Sequence, residues 1–359
     1  MFKYSIFLLA ILMLPLSAAA ESSLQEDLQK LAEDNAESYI APVVNILGTG
    51  MNTGWVNSSK SYEFMKLPFG LSVVFGFPVI NIPEADWTYD FYGEVDAAGI
   101  VNSMGLSGPA ATIITDSLSG EKFKLEIPES PTIFGSSEGQ ALTLKQLLES
   151  NNVDAATMTA LNGTGSLDDT LFSHPGGSNL GKDVGALPFM YPQINIGLPF
   201  KLQLKLRTMP EIDLEDLGKF SFFGFGLQYE YTDHIPFLGS VPMVHASANY
   251  SHTSMELGPL SFSNWQLMPI CASADFKFIV GAGVYTAIGF ESSNMTFDYT
   301  VEGGIADGTN VKLDIDGDNG FRYLIGARVS VAVFDIFAEY NIGHNNAFNA
   351  GVGLGLNGL

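Results

Sequence analysis

The sequence contains a single cysteine, Cys271, so no disulfide can form within one chain. Charge is also scarce: 15% of the residues are charged, whereas soluble domains usually carry about 25%. Cations are the rarest charged residues, because 16 Lys and Arg stand against 39 Asp and Glu and leave a net charge of −23. Nucleic-acid binding needs clustered cations to contact phosphates, so this balance excludes a nucleic-acid partner. No basic residue lies just before Cys271, and we interpret it as an inert strand residue.

Long apolar runs are missing as well. Beyond residue 20, no stretch approaches the roughly 18 consecutive apolar residues that a transmembrane helix needs. Yet 46% of the residues are hydrophobic and the mean hydropathy is +0.19. A chain that is apolar overall but lacks apolar runs is typical of membrane-spanning strands, in which apolar and polar residues alternate.

The N-terminus has the pattern of an export signal. Lys3 precedes a mostly apolar stretch at 5–16, and small residues follow at 17–20. This order predicts a cleaved signal peptide over residues 1–20 and a mature chain that starts at Glu21. No cysteine follows the cleavage site, which disfavours a lipoprotein anchor.

Residues 21–55 are predicted to form an N-terminal helical segment. Leucines at helical spacing indicate an amphipathic helix over 23–40, which Pro42 is expected to end or kink. A second short helix is predicted over 43–51. The segment is expected to enter the barrel lumen as a plug, to lie at the barrel rim, or to serve as a periplasmic lead-in.

The remainder of the chain changes to a period of two, which is the side-chain period of a strand. Residues 193–207 show it most clearly, and we predict one uninterrupted strand there. Apolar residues occupy every even position of this stretch and polar, Gly or Pro residues the odd ones. Further segments with the same alternation are 67–77, 87–95, 223–231, 244–251, 276–285, 295–302, 322–333, 336–342 and 348–356.

These segments predict an all-β fold, a closed antiparallel transmembrane β-barrel over 56–359. Two less regular stretches, 121–127 and 257–272, also contribute, and Pro259 and Pro269 indicate bulges or bends in the second. We expect 14 strands, with 12 as the alternative, because single-chain bacterial barrels have even strand numbers. The apolar faces are expected to contact lipid, since a lumen this wide is not filled by side chains. The predicted location is the bacterial outer membrane, with lipid as partner and a monomeric state.

Residues 103–192 interrupt the alternation and are rich in Gly, Ser, Thr and Asp. Helices are predicted at 143–150 and 155–161. Because loops on rigid scaffolds often carry function, we interpret this stretch as an external loop or a lumen insert.

Five stretches resemble an uncharacterised family of bacterial outer-membrane barrel proteins, a domain-of-unknown-function family. The architecture of that family resembles the long-chain fatty-acid transporter type. The family is tied to no established activity, so the resemblance implies fold and location, leaves the substrate open and transfers no site residue. Passage of a small hydrophobic molecule is an analogy with the fold of the fatty-acid transporter type. The stretches that carry it are 39–55 with "YIAP" and "LGTGMNTGW", 131–135 "PTIFG", 187–210 "LPFMYPQINIGLPFKLQLKLRTMP", 219–236 "KFSFFGFGLQYEYTDHIP" and the C-terminal "GARVSVAVFDIFAEYNIG".

Scarce cations on the polar faces are the candidate site residues. They either line a constriction opposite inward acids or pair with acids and stabilise the barrel. The lumen-lining candidates are Lys201, Lys205, Arg207, Glu230, Arg322, Arg328 and Glu339.

A weak calcium candidate lies at Asp314, Asp316 and Asp318. An EF-hand loop needs a bidentate acid at its twelfth position, which is Ile325 here, so that interpretation fails. An acidic turn between two strands is the alternative, with no metal bound.

The histidines give no support to an enzyme. His245 and His252 are an odd number of residues apart, so on one regular strand they face opposite sides. His252 with Ser254 is the one faint Ser–His candidate. We therefore predict that the chain is not an enzyme and holds no cofactor. Passage of a small hydrophobic molecule is the first functional hypothesis, and a structural or adhesive surface protein acting through 103–192 is the second.

Overall fold

The computed structural model describes residues 33–61, 70–213, 219–241, 243–258, 260–277, 281–300 and 310–355. The predicted signal peptide and the first part of the predicted N-terminal helix lie outside these residues. The described residues divide into two compact units. Ala41–Ile82 and Gly185–Leu359 belong to the first unit, and residues 33–40 with Pro83–Val184 belong to the second.

Strands outnumber helices among the described residues. The described α-helices are α1 Glu33–Asn52, α2 Ala97–Ser103, α3 Pro109–Ser117, α4 Leu144–Ser150, α5 Ala155–Asn162 and α6 Leu180–Asp183. The described strands are β1 Gly70–Asn81, β2 Thr88–Asp96, β3 Lys122–Pro131, β4 Gln140–Thr143, β5 Thr170–His174, β6 Ala186–Pro188, β7 Tyr191–Leu198, β8 Leu202–Asp213, β9 Lys219–Glu230, β10 Val244–Leu257, β11 Leu260–Lys277, β12 Gly281–Thr300, β13 Asn310–Asp316, β14 Phe321–Val331, β15 Phe334–Ile342 and β16 Ala347–Gly355.

Ten of the described strands close into an antiparallel barrel in the first unit. The order runs β11, β10, β9, β8, β7, β1, β16, β15, β14, β12, and pairing of β11 with β12 closes it. The short strands β6 and β13 pair with the ends of β1 and β12. The predicted closed antiparallel barrel is therefore confirmed, but the predictions of 14 or 12 strands are wrong.

Two of the supposed barrel strands belong to the second unit. The segments predicted at 87–95 and 121–127 are β2 and β3, which pair with each other from Thr88 opposite Pro131 to Asp96 opposite Lys122. The segment predicted at 295–302 is no separate strand either, since its described part continues β12. These reassignments lower the number of barrel strands.

The stretch 193–207 is a hairpin rather than one strand. Strand β7 ends at Leu198, the chain turns at Pro199, Phe200 and Lys201, and β8 begins at Leu202 opposite Leu198. Phe200 and Lys201 both have positive φ, at 64° and 60°. The left-handed backbone of these two residues reverses the chain within three residues.

The barrel strands place apolar side chains outward and small or polar ones inward. Ile336 is 60% exposed, Phe290 55% and Ile325 53%, although all three are large and apolar. Inward neighbours such as Ser72 and Asn349 are buried. Since a soluble barrel would do the reverse, this sorting is that of a barrel in lipid.

Strands β10 and β11 contain the predicted irregularity. Their register shifts between Ser247 and Asn249, and β11 shifts against β12 between Leu267 and Ile270. Pro269 lies in the second shift, where its missing N–H breaks no ladder bond, and the predicted bulge there is confirmed. Pro259 lies outside the described residues.

The second unit has an apolar core of its own. Its helices α4 and α5 match the predictions at 143–150 and 155–161. The Thr143 side chain caps α4, where it accepts a hydrogen bond from the backbone N–H of Gln146. The insertion begins at Pro83 and ends at Val184, rather than at 103 and 192. Buried apolar side chains of this unit include Ile100, Ile114, Leu144, Leu147, Leu148 and Leu161.

Helix α1 runs through Pro42 without ending. The expected end at Pro42 and a separate second helix over 43–51 are therefore wrong, whereas a kink at Pro42 stays a prediction. A proline removes one helical hydrogen bond and tends to kink a helix, but it does not always stop one. Among the helices described, none is both long and apolar enough to cross a bilayer.

Candidate functional site

Residues 45–61, which we call the lumen segment, run through the interior of the barrel. Near one end, the amide of Asn319 donates to the carbonyl of Asn45 at 3.2 Å. Near the other end, the backbone N–H of Ser61 donates to Glu230 Oε2 at 2.8 Å. Between them, the N–H of Ser59 donates to Ser273 Oγ at 3.1 Å. The segment is thus bonded to inward residues along its length.

Arg207 on β8 binds the lumen segment most extensively. Its guanidinium carbon lies 4.0 Å from the ring centroid of Trp55 and 3.5 Å from that of Tyr191. Its Nη atoms donate to the carbonyls of Met51 and Thr53 at 3.0 and 2.9 Å. Cation–π contacts strengthen when they are desolvated, and Arg207 is fully buried. Arg207 therefore fixes both the backbone and the indole of this part of the segment.

Lys205 is the second cation of β8 in the lumen. Its ammonium donates to the carbonyl of Trp55, to Gln228 Oε1 at 2.8 Å and to Asn249 Oδ1 at 3.2 Å. An ammonium has three donors, so these bonds use all of them. The Lys205 side chain is fully buried, and its bonds replace water.

Arg322 on β14 forms an ion pair with Glu291 on β12. Its Nε lies 2.6 Å from Glu291 Oε2, and its Nη2 donates to Glu291 Oε1 at 2.9 Å. Its Nη1 donates to Thr53 Oγ1 at 3.0 Å and to Asn341 Oδ1 at 3.2 Å. One cation on β14 thus connects β12, β15 and the lumen segment. Charge-assisted bonds of this kind are stronger than neutral ones.

Inward glycines of β9 leave the space that Trp55 fills. A Cβ at Gly224 would lie 3.1 Å from the Trp55 ring, and one at Gly226 would lie 2.9 Å from it. Gly54, just before Trp55, has φ +83° and packs against the Tyr191 hydroxyl. A side chain at these positions would force the indole or the backbone to move.

A small apolar cluster faces the lumen beside Val56. It includes Cys271, Met268 and Leu324, all of which are buried. Cys271 lies on β11 and its sulfur is 3.5 Å from the carbonyl of Met268. This placement agrees with its interpretation as a strand residue.

Four of the predicted lumen residues bind the lumen segment through their side chains, namely Lys205, Arg207, Glu230 and Arg322. Glu230 accepts from the backbone N–H of Ser61, and its Oε1 lies 3.0 Å from His245 Nδ1. Glu339 faces the lumen as well, but it accepts from the hydroxyl of Tyr285 at 3.1 Å.

Two of the predicted residues have other positions or partners. Lys201 lies in the turn between β7 and β8 rather than on a strand, with its Nζ 2.6 Å from Asp233 Oδ2 and 3.8 Å from Glu230 Oε1. Its carbonyl accepts from the Ser61 hydroxyl at 2.8 Å. Arg328 pairs with Asp275 on β11 at 2.6 Å. The acidic partner of Arg322 is therefore Glu291 and that of Arg328 is Asp275, rather than Glu230 or Glu339.

Sequence reasoning missed Glu291, Trp55 and Tyr191. Glu291 lies between two predicted strands, and extending the odd-position pattern of Tyr285 along β12 would have placed it inward. Trp55 belongs to an irregular stretch without a period, so no pattern indicates its position. Tyr191 precedes the clear alternation at 193 by two residues.

Of the acidic residues proposed for calcium, Asp314 and Asp316 share one partner and Asp318 has another. Asn294 Nδ2 donates to Asp314 Oδ1 at 2.8 Å and to Asp316 Oδ1 at 3.0 Å. Asp318 instead uses its backbone N–H to bond Asn45 Oδ1 at 2.7 Å. Over the described ranges, no three His, Cys, Asp or Glu side chains have metal-binding geometry. Calcium binding stays a prediction.

In the second unit, the half-buried Tyr89 packs with the buried side chains of Tyr39 and His174. The Tyr89 hydroxyl lies 2.8 Å from His174 Nε2, and the Tyr39 hydroxyl donates to the carbonyl of Gly176 at 2.9 Å. Burial, assisted by the nearby Tyr39, raises the pKa of Tyr89 well above its ordinary value. The cluster keeps Tyr89 neutral, which suits a packing role.

Comparison with known proteins gives one family and several distant structures. The family DUF6588, described as a family of unknown function, matches residues 1–356. No curated protein matches the chain. OmpT, an outer membrane protein of Vibrio cholerae, is 10% identical with a TM-score of 0.23, covering 80% of this chain and 98% of that one.

Two further solved structures are similarly distant. A mutant porin of Rh. blastica is 12% identical with a TM-score of 0.15, over 80% of this chain and 99% of that chain. OccAB2 of Acinetobacter baumannii is 9% identical with a TM-score of 0.13, over 80% and 97%. Similarities this low carry no argument about function.

Proposed function

We propose that this chain, which belongs to DUF6588, a family of unknown function, is an outer-membrane β-barrel with a gated lumen. A water-soluble solute passes when the lumen segment is displaced. Non-enzymatic action, the monomeric state and the absence of a cofactor stay predictions.

Membrane insertion is supported by the outer surface of the barrel. Large apolar side chains point outward on its strands, and Leu354, for example, is 52% exposed. Pairing of β11 with β12 closes the ladder, so the ten described barrel strands leave no open sheet edge. Closure satisfies the backbone groups that lipid cannot. The export signal predicted at 1–20 agrees with an outer-membrane location.

The observation that carries the gating proposal is that polar bonds hold the lumen segment. Arg207, Lys205 and Arg322 bind its carbonyls or hydroxyls, and the wall between them is rich in Ser, Asn and Gln. Water can replace such bonds after the segment leaves, whereas an apolar core would resist wetting. A polar wall favours a water-soluble solute. Uptake of a small hydrophobic molecule, the first functional hypothesis from the sequence, stays a prediction.

Trp55→Ala tests the gate, because it removes the side chain that fills the space above Gly224 and Gly226. We expect the wild-type protein in planar bilayers to be closed most of the time. The variant should be open at least about tenfold more often, since a loss of about 1.4 kcal/mol shifts an equilibrium tenfold. Single-channel recordings of the K⁺ current measure the fraction of time that the barrel is open.

Trp265→Ala is the matched control for this experiment. Trp265 lies on β11 and is 40% exposed on the outward face, so its loss should leave the open fraction unchanged. Both variants must first show heat-modifiable migration typical of a folded barrel. A folded Trp55→Ala barrel that never conducts K⁺ contradicts the gating proposal.

A structural or adhesive role through the insertion is the second candidate. The observation that favours it is the independent core of the second unit, which includes Leu144 and Leu147, both fully buried. A folded unit of this kind presents a stable surface to a partner. The structural or adhesive role becomes the better proposal if the Trp55→Ala barrel is folded and conducts no K⁺.

A further inference from the structure

The inward faces of β8 to β11 carry a continuous row of uncharged polar side chains, which we call the amide strip. Pairing places Gln203 beside Gln228, Gln228 beside Asn249, and Ser251 beside Gln266. Every member is at most 2% exposed. The amide strip comprises Gln203, Gln228, Asn249, Ser251, Thr253 and Gln266.

Each member of the amide strip has a polar atom without a hydrogen-bond partner among the described residues. The free donors are amide nitrogens of Gln203, Gln228 and Asn249. The amide oxygen of Gln266 is a free acceptor, and the hydroxyls of Ser251 and Thr253 can do either. Most buried polar side-chain atoms in folded proteins are paired, so a row of unpaired ones calls for an explanation.

The formal charges of the lumen side chains named above sum to zero, because the cations Lys205, Arg207, Arg322 and Arg328 stand against the acids Glu230, Asp275, Glu291 and Glu339. Arg322 pairs with Glu291, and Arg328 pairs with Asp275. Lys205 is surrounded by a carbonyl and two amide oxygens. The amide strip itself has no charged member. The wall therefore offers many hydrogen bonds, but no dominant charge that would select an ion.

We propose that the solute is a small, uncharged, polyhydroxylated molecule of the sugar class, which moves along the amide strip. Each hydroxyl of such a molecule donates and accepts, which matches a wall that mixes amide donors, amide acceptors and hydroxyls. A hydrophobic solute would leave these wall groups unpaired, at a cost in free energy. This inference rests on the proposed function, since the lumen segment must first leave.

The test compares barrels in which the gate has been loosened by Trp55→Ala. Ser251→Ala with Thr253→Val removes two wall hydroxyls and keeps the side chains close in size. Neither hydroxyl bonds the lumen segment among the described residues, so the gate itself is unchanged. Liposome swelling with glucose should slow at least about fivefold, whereas the K⁺ conductance stays the same; a fivefold change is within the effect of lost hydrogen bonds.

Ser254→Ala with Thr286→Val is the matched control, since both residues lie on the outward side of β10 and β12. This pair should leave glucose entry unchanged. The sugar inference fails and the gate proposal stands if the Trp55→Ala barrel conducts K⁺ and the wall substitutions leave the rate of glucose entry unchanged. The same conclusion follows if octanoate enters this barrel faster than glucose. If the Trp55→Ala barrel conducts no K⁺, both fail.

Discussion

At the scale of single residues, Arg322 and Glu291 form a fully buried ion pair in the lumen. Both side chains are at most 1% exposed, so neither charge is solvated by bulk water. Arg322→Met leaves the Glu291 carboxylate buried without its main partner. We expect the free energy of unfolding to fall by about 3–5 kcal/mol. Urea unfolding of the full chain in lipid vesicles measures the loss.

Two variants control for this prediction. Adding Glu291→Gln to Arg322→Met removes the unpaired charge and should recover most of the stability. Lys122 and Glu94 form an exposed pair, at 75% and 57%, and Lys122→Met should cost no more than about 1 kcal/mol. An Arg322→Met barrel as stable as the wild type would mean that water reaches this pair.

The sequence indicates the direction of these side chains better than their partners. Alternation places Lys205, Arg207 and Arg322 inward, and all three are buried there. The partner of Arg322 depends on strand register, which sets Gly289 opposite Arg322 and brings Glu291 within reach. Register arises from the whole ladder and leaves no local mark in the sequence.

At the scale of elements, the hairpin of β7 and β8 shows why periodicity missed a turn. Its connection has three residues, 199–201, so Leu198 and Leu202 stand opposite each other and both point outward. An odd connection preserves the even–odd alternation, and the pattern continues as if no turn existed. The turn between Val331 and Phe334 has two residues, so the outward side chains change from odd to even positions there. This change of alternation is visible in the sequence.

Helix α4 was predicted correctly because its signals are local. Thr143 and Gln146 form a capping box, in which each side chain bonds the other residue's backbone N–H. Thr143→Ala should lower the stability of the second unit by about 0.5–2 kcal/mol, because the first turn loses an acceptor. Hydrogen exchange of the α4 amides in the full chain measures it.

Thr159→Ala is the matched control for the cap. Thr159 is exposed in the interior of α5 and its hydroxyl donates to the carbonyl of Ala155 at 2.7 Å. Alanine is a better helix former, so exchange in α5 should stay equal or slow slightly. Equal effects of the two substitutions would show that the capping box contributes nothing specific.

At the scale of the whole molecule, the class of fold was within reach of the sequence, and the division into units was not. Outward and inward faces follow from alternation alone. Strand β2 was predicted from alternation as clear as that of the barrel strands, yet it pairs with β3 in the second unit. Alternation reports two unlike faces of a strand, and it does not report which sheet contains that strand.

The final prediction concerns the outward face of the barrel. Ile325 lies in the middle of β14, between Thr286 and Tyr340 on the neighbouring strands, and is 53% exposed. In a membrane-spanning barrel this side chain contacts lipid, and Ile325→Lys should make folding into vesicles less favourable by about 2–4 kcal/mol. Urea titration of folding in vesicles measures it.

Val184→Lys at the end of the insertion provides the comparison, because Val184 is 59% exposed and belongs to the second unit. If only the barrel lies in lipid, this lysine stays hydrated and the folding free energy should change by no more than about 0.5 kcal/mol. Equal losses for the two lysines would contradict a lipid-facing barrel wall. So would an Ile325→Lys protein that folds in buffer without lipid or detergent, because the apolar outer face would then not need a membrane.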